Sequence, residues 1–452
     1  MPVTDIQPGY AAPVDQSERI TILDSLRGIA ILGILLMNIP GFALPDPVLR
    51  DPSVLNEWGT RNFKTWYFIE WFMEGSQRAL FSMLFGAGIV LFISRAEKKS
   101  QGLWPADYFF RRQLWLLVFG LFNAFILLWF WDILFNYACL GMIAFAFRRL
   151  PVKGLLFAAV ICLVFQTARE NVDTYRDRKK ITKGEAIAKI DTTITKLSDH
   201  QKADLGAMTE MKEKFSDTGK KKKMEKSLKS VRGGYFDFYE YQSERSLRME
   251  LNYTYLWAWD VLLFIFLGMA LFKSGILMGQ ASTKLYLLLF IGGMGLGLFL
   301  SYFRLQPQID HKFDMFAYLK KGYFEYYEIS RAFRAIGIFG LIMLMYKSGW
   351  FKWFFALLRP VGQMAFTNYL AQSLFVGLFF YGVGFGMFGK LQRFEIYYVV
   401  AVVWLLQIIW SHIWLRFFRF GPLEWLWRSL TYWKKQPFLK EKGNKSPAGA
   451  IG

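Results

Sequence analysis

Apolar residues in this chain come in blocks of roughly 18–24, the length of helix that crosses a hydrocarbon layer. Ten are read, near Ile20–Phe42, Gly75–Ile93, Gln113–Phe130, Ile133–Phe147, Gly154–Thr167, Tyr253–Phe272, Lys284–Tyr302, Ile329–Tyr346, Gln363–Phe388 and Ile396–Phe418, the fifth being short. From about Arg169 to Asn252 the pattern changes to a polar stretch with a lysine run at Lys220–Lys223. Apolar residues there (Ile187, Ile190, Ile194, Leu197, then Leu205, Met208, Met211, Phe215) recur three or four apart, the spacing of an amphipathic helical hairpin. The predicted fold is all-α, a polytopic transmembrane helical bundle of about ten spans with a helical extramembrane insert. Its segments are a tail at 1–19, spans one to five at 20–168, the insert at 169–252, spans six to ten at 253–418 and a tail at 419–452.

Composition agrees: 54% of the 452 residues are apolar and 19% aromatic, which excludes a soluble enzyme, a disordered chain and a small disulfide scaffold. Cys139 and Cys162 both sit in apolar runs and read as small buried hydrophobes. The first residues are polar and proline-containing, without a basic stretch or cleavage-like site, so the first apolar block reads as a span and not as a removed signal.

The formal charge of +20, 55 Lys and Arg against 35 Asp and Glu, sets orientation. Arg95, Lys98, Lys99, Arg111 and Arg112 fall between spans two and three, and Arg148, Arg149 and Lys153 after span four. Lys273 and Lys284 flank the next such loop, Lys347, Lys352 and Arg359 the one after, and Arg416, Arg419, Arg428, Lys434 and Lys435 follow span ten. With ten spans these loops share one side, which the positive-inside rule makes cytoplasmic, with both termini. The insert then faces outward as a solvated helical cap, a homodimer contact or a substrate-recruiting domain. The partners expected of the basic surface are membrane lipids with anionic headgroups, not nucleic acid, since no nucleic-acid-binding module is visible.

A charge at membrane depth costs about 2.5–3.5 kcal/mol, so each one needs a reason. Toward the cytoplasmic side lie Asp24 and Arg27, three apart on one helical face, then Asn368 and Gln372 in span nine, and Glu424 with Arg428 after span ten. Toward the outer side lie Asn38, Arg78, Asn123, Asp132 and Asp260, with Glu328, Arg331 and Arg334 spaced by three. Asp132, on a tight hairpin, must turn inward to a partner, for which Arg78 is the candidate. Interhelical pairing that fixes packing accounts for such residues, and so does an outward-facing polar cavity. Metal chemistry lacks support, with three histidines (His200, His311, His412) far apart and no metal-ligand spacing. The run GGMGLGLFL at Gly292–Leu300 lies inside an apolar block and reads as a small-residue helix-packing face.

Five stretches then carry a resemblance: RITILDSLRGIAILGILLMNIPGF (Arg19–Phe42), ALFSMLFGAGI (Ala79–Ile89), WDILFNYACLG (Trp131–Gly141), RPVGQMAFTNYLAQS (Arg359–Ser373) and FGPLEWLWRSLTYWKKQP (Phe420–Pro437). In order, and covering most of the chain outside the insert, they resemble the DUF418/YeiB-type bacterial membrane proteins. The resemblance implies an inner-membrane protein similar to the transmembrane acyltransferases that include heparan-glucosaminide N-acetyltransferase. Those move an acyl group from a cytosolic CoA thioester to an acceptor, commonly a sugar, on the other side. It implies acyl-CoA as donor near Asp24, Arg27, Arg111, Arg112, Glu424 and Arg428. A glycan or small polar acceptor would lie near Asn38, Asp260, Glu328, Arg331, Arg334, Asn368 and Gln372, and the chemistry at Asp132, Asn123 and Arg78. The family pattern before Asp-Ile-Leu usually carries a histidine. Here GLFNAFILLWFWDIL places Asn123 at that position and Trp131 at a glycine position, which leaves Asp132 as the candidate base and Asn123 as an acceptor contact. The rival readings are a small-solute transporter or permease and a non-catalytic member of the family.

Overall fold

The computed structural model describes residues 20–99, 102–191, 193–194 and 196–440, so the expected tail at 1–19 and the end of the C-terminal tail lie outside the described residues. The named elements are helices: α1 (Thr21–Ala43), α2 (Asp46–Arg50), α3 (Arg61–Phe72), α4 (Ser76–Lys99), α5 (Trp104–Phe125), α6 (Leu134–Phe145), α7 (Val152–Ile187), α8 (Asp199–Phe215), α9 (Asp217–Arg232) and α10 (Tyr235–Arg248). After a π-helical turn at Met249–Tyr253 come α11 (Thr254–Leu256), α12 (Ala258–Lys273), α13 (Thr283–Asp310), α14 (Met315–Lys321), α15 (Tyr327–Ser348), α16 (Lys352–Gln363), α17 (Ala365–Phe380), α18 (Ile396–Phe417) and α19 (Pro422–Tyr432). The chain is a multi-pass membrane protein. Six helices are long and apolar enough to cross a bilayer (Thr21–Ala43, Arg61–Lys98 with α3 and α4 together, Val152–Ile187, Thr283–Asp310, Tyr327–Ser348 and Ile396–Phe417), and the bent pair Tyr235–Leu256 with Ala258–Lys273 makes a seventh if it is one span.

Each of the ten expected blocks contains a helix, but four fall short of an apolar span. α5 carries Arg111, Arg112 and Gln113 in its first half, and α6, α12 and α17 have 12, 16 and 16 residues. α6 rises only about 18 Å against a hydrocarbon core of about 30 Å. The chain between α5 and α6, residues 126–133, is non-helical, with Leu128 in the left-handed region at φ 58°. That stretch of irregular backbone holds Asp132.

Local chemistry sets several boundaries. Pro105 and Pro422 occupy the first turns of α5 and α19, where a missing N–H costs nothing. Ser282 caps α13 by accepting the Leu285 N–H, and Ser198 with Gln201 forms a capping box on α8. The bundle closes where helices approach backbone to backbone. A Cβ on Gly28 of α1 would lie 2.2 Å from the Leu358 carbonyl oxygen of α16, and one on Gly362 1.7 Å from that of Asp24. On α13, Gly293 and Gly297 face Gly337 and Arg334 of α15 with the same intolerance, while Gly292 and Gly295 face open space. The glycine run is thus a packing face, as its sequence implied, through two of its glycines.

The insert is more than a hairpin. α7 runs 36 residues, about 54 Å, crossing the bundle and continuing into the insert. There it packs on α8, where Met208 lies against Gly184. The expected first helix of the hairpin is not helical past Ile187 among the described residues up to Leu197, and the α7 extension takes its place as the partner of α8. α9 and α10 then fold back onto the end of the bundle where α1 stops: Lys220 pairs with Asp51 at 2.7 Å and Arg245 with Asp46 at 2.7 Å.

Candidate functional site

Two cavities, each of about 260 Å³, enter the bundle from opposite ends of α1. Asp24 and Arg27 line the first and Asn38 the second. The Asp24-to-Asn38 separation corresponds to about 21 Å of helix.

The first cavity lies at the end where α1 begins. Arg27, Arg95, Arg112 and Arg428 line it together with Asp24 and Glu424, and deeper in the walls are Phe81, Leu84, Phe85, Leu116, Leu134 and Tyr137. Arg27 reaches Asp24 at 3.1 Å, the within-turn pair that the sequence spacing implied. The Arg112 guanidinium lies 3.9 Å from the Trp427 ring centre and 5.3 Å from that of Phe92, and the Trp427 indole N–H donates to the Arg112 carbonyl at 2.9 Å. Arg111 differs from expectation. One helical position on, it points away from the cavity, pairs with Asp107 at 2.6 Å and lies over Trp433 at 4.1 Å. Glu424 has a structural task as well: its carboxylate accepts the N–H groups of Phe366 and Thr367 at 2.7 and 2.9 Å and the Thr367 hydroxyl at 2.6 Å. It thereby caps α17. Burial pushes this carboxyl above its ordinary range, although those bonds act the other way.

The second cavity opens at the insert end. Its lining includes Asn38, Glu70, Glu74, Arg78, Asp132, Asn136, Arg393 and the rings of Trp66, Trp131, Trp257, Tyr327 and Tyr397. Arg393 donates to Glu57 at 2.7 Å and to the Leu49 and Val48 carbonyls, tying the connection before α18 to the segment after α1.

Asp132 lies in the wall of the second cavity and bonds a residue of the first. Its Oδ1 accepts from Asn123 Nδ2 at 2.7 Å and from the Tyr369 hydroxyl at 3.3 Å, and its Oδ2 accepts the Phe135 N–H at 2.9 Å. Asp132 lines the second cavity while Tyr369 lines the first. Asn123, fully buried, is among the linings of neither, so it holds Asp132 in place and is not the expected acceptor contact. Gly120 makes room for this arrangement, since a Cβ there would fall 2.5 Å from the Phe135 nitrogen and 2.8 Å from Asp132 Oδ2.

The expected Arg78–Asp132 pairing is replaced by another. Arg78 donates to Asp260 at 2.7 Å; Asp260 also accepts from Arg331, which bonds Glu328 at 2.6 Å. The reason is geometric: α4 packs along α12 and α15, which bring Asp260 and Arg331 to Arg78, while Asp132 is already satisfied by α5 and α17. Asp260, Glu328, Arg331 and Arg334 line neither cavity. Arg334 donates to the Glu70, Trp71 and Glu74 carbonyls at 3.2, 3.0 and 2.8 Å, finishing the C-terminal end of α3. Asn368 and Gln372 likewise sit away from both cavities. Asn368 donates to Ser411 and Val361, and Gln372 to Gln407 and the Ile31 carbonyl, a polar seam between α1, α17 and α18. His412 bonds the Ile408 carbonyl of its own helix.

Tyr369, Tyr137 and Trp427 were missed from sequence. Tyrosine and tryptophan are so common at span ends that position along the chain does not set these apart; only the lateral packing of α6, α17 and α19 does.

A family model described as a protein of unknown function (DUF418) matches residues 271–434, from the end of α12 past α19. The chain is 30% identical over 441 residues to the uncharacterized protein YxaH of Bacillus subtilis, covering 95% of this chain and 98% of that one. To the uncharacterized protein YeiB of Escherichia coli it is 30% identical over 421 residues, covering 92% and 96%. The chain belongs to the DUF418/YeiB-like family. No solved structure matches it. The matched family region contains Tyr369, Glu424 and Arg428, whereas Asp132 and Asn123 lie outside it and inside the full-length similarity to both relatives.

Proposed function

We propose that the protein is an acyltransferase of the bacterial inner membrane, moving an acyl group from cytosolic acyl-CoA to a hydroxyl or amine of a glycan or small polar acceptor on the outer side. The observation that carries this is the pair of cavities entering from opposite ends, with Tyr369 of the first hydrogen-bonded to Asp132 of the second. The first cavity suits the donor: four arginines at its walls match phosphates through charge-assisted bonds, and its apolar depth suits the acyl chain. The second suits the acceptor, with carboxylates, amides and tryptophan faces. Asp132 is the base, oriented by Asn123 and the Phe135 N–H. The basic loops support placing the first cavity and both termini in the cytoplasm, and the insert outside.

The test is calorimetry of acetyl-CoA and longer acyl-CoAs on the detergent-purified protein, followed by transfer assays. Saturable donor binding is expected, with Asp132→Asn keeping that binding and losing transfer by about 100-fold or more. An Asp132→Asn protein with full transfer overturns the assignment of the base. Solute flux through proteoliposomes without consumption of an acyl donor overturns the whole reading in favour of a transporter.

A further inference from the structure

Resting on the group-transfer reading, we infer that Tyr369 is the acid of the reaction, giving its proton to the departing thiolate on the donor side and recovering one through Asp132. Tyr369 lines the basic cavity and is 2% exposed. Its hydroxyl donates to Asp132 Oδ1 and accepts the Ile133 N–H, both at 3.3 Å. Asp132 lines the opposite cavity. One hydrogen bond therefore joins a group that meets the acceptor to a group that meets the donor. Tyr432, on α19 against Tyr108 with ring centres 5.1 Å apart, and Tyr137 also line the basic cavity, but the Tyr137 hydroxyl bonds Ser82 at 2.6 Å and the Arg78 carbonyl at 3.4 Å. Neither of those returns a proton near neutrality, so Tyr137 has no way to recharge.

The step balances without another reactant. The acceptor oxygen or nitrogen forms its bond to the thioester carbonyl carbon while its proton passes to the Asp132 carboxylate. The C–S bond breaks with its electron pair on sulfur. Tyr369 gives its hydroxyl proton to that thiolate and takes from Asp132 the proton just gained. Asp132 ends ionised and Tyr369 ends as a phenol, with acylated acceptor and free thiol as products. Aqueous phenols and thiols differ by only about 1.5 in pKa, a gap that transfer within a shared hydrogen bond can cross.

The experiment varies the leaving group. Thiol release is followed for wild type and Tyr369→Phe with acetyl-CoA and with S-(4-nitrophenyl) thioacetate, using glucosamine or water alone as acceptor. The aryl thiolate departs without a proton. Tyr369→Phe is therefore expected to slow release from acetyl-CoA by roughly 100-fold or more and to leave release from the aryl thioester close to wild type. Each comparison is a variant-to-wild-type ratio for one donor, so weak binding of the small donor cancels. Acetyl-CoA binding to the variant by calorimetry shows that it is folded. Replacement of Tyr369 by 3,5-difluorotyrosine, which keeps the shape and strengthens the acid, should flatten the dependence on leaving group. If wild type releases thiol and Tyr369→Phe loses equally on both donors, or on neither, the role of Tyr369 is overturned while the reading stands. If wild type releases no thiol from either donor, the reading falls and the inference falls with it.

Discussion

Arg111 and Arg112 are neighbours in sequence with the same charge, and the helix gives them opposite surroundings. Arg112 enters the basic cavity against Trp427, whereas Arg111 is held outside by Asp107 and Trp433. Arg112→Ala should weaken acetyl-CoA binding by roughly 10–100-fold, the worth of one charge-assisted bond. Arg111→Ala should change it by less than about twofold, since Arg111 lies outside that cavity's lining and is held by Asp107 and Trp433. Calorimetry on the two single variants checks this, and equal losses would show that the phosphates are held elsewhere. At this scale the sequence was half legible. Buried charge is costly wherever it occurs, so Asp132, Arg78, Asp260 and Arg331 could be singled out from a linear pattern. Which of them pair could not, because pairing is set by helix rotation and lateral neighbours. Arg78 turned to Asp260 and left Asp132 to Tyr369, a residue whose polar tip the apolar pattern hides.

The insert shows how an element distant in sequence stabilises the site. α10 lies against the turn between α5 and α6, where Gln242 Nε2 donates to the Leu128 carbonyl at 3.2 Å, Ser246 to the Ala124 carbonyl at 3.1 Å and Tyr235 to the Ile126 carbonyl at 3.0 Å. Those carbonyls belong to non-helical or helix-end backbone, where the helical N–H partner four residues on is missing. On the other side of the same turn, Trp129 stacks on Phe42 of α1 with ring centres 3.7 Å apart. The turn that carries Asp132 is thus held between α1 and the insert. Gln242→Ala leaves the Leu128 carbonyl buried and unsatisfied, at a cost of about 1–3 kcal/mol, and should lower the thermal midpoint in detergent. Acyl-CoA binding should stay near wild type, because the first cavity is built from other elements. A Gln242→Ala protein of unchanged midpoint would mean that α10 only rests on the turn. The helical periodicity of the insert was readable. Its contacts with the α5–α6 turn were not, since they run to backbone carbonyls, which leave no trace in side-chain patterning.

Across the whole molecule, the basic loops and the insert stand at opposite ends of the bundle. Arg149 lies 3.9 Å from Glu97 at the end of the first cavity, and Lys273 donates to the Arg148 and Leu150 carbonyls at 2.6 and 2.7 Å there. Lys220 and Arg245 of the insert are at the far end. The proposed transfer needs this polarity: a CoA thioester is confined to the cytosol, so on that reading the arginine-lined cavity opens there. Lys153 at the start of α7 and Lys222 on α9 are both exposed, and on the proposed orientation they face opposite sides. The native Cys162 is 2% exposed and Cys139 half-buried, so both give a low background to a bulky reagent. In intact bacterial spheroplasts, a membrane-impermeant maleimide should label Lys222→Cys and leave Lys153→Cys unlabelled until the membrane is permeabilised. The reverse pattern would put the arginine-lined cavity on the side without acyl-CoA, and with it would go the donor role of Arg112 and the proton path through Tyr369. Labelling of both positions from outside would mean that α7, despite its 36 residues, does not cross the bilayer.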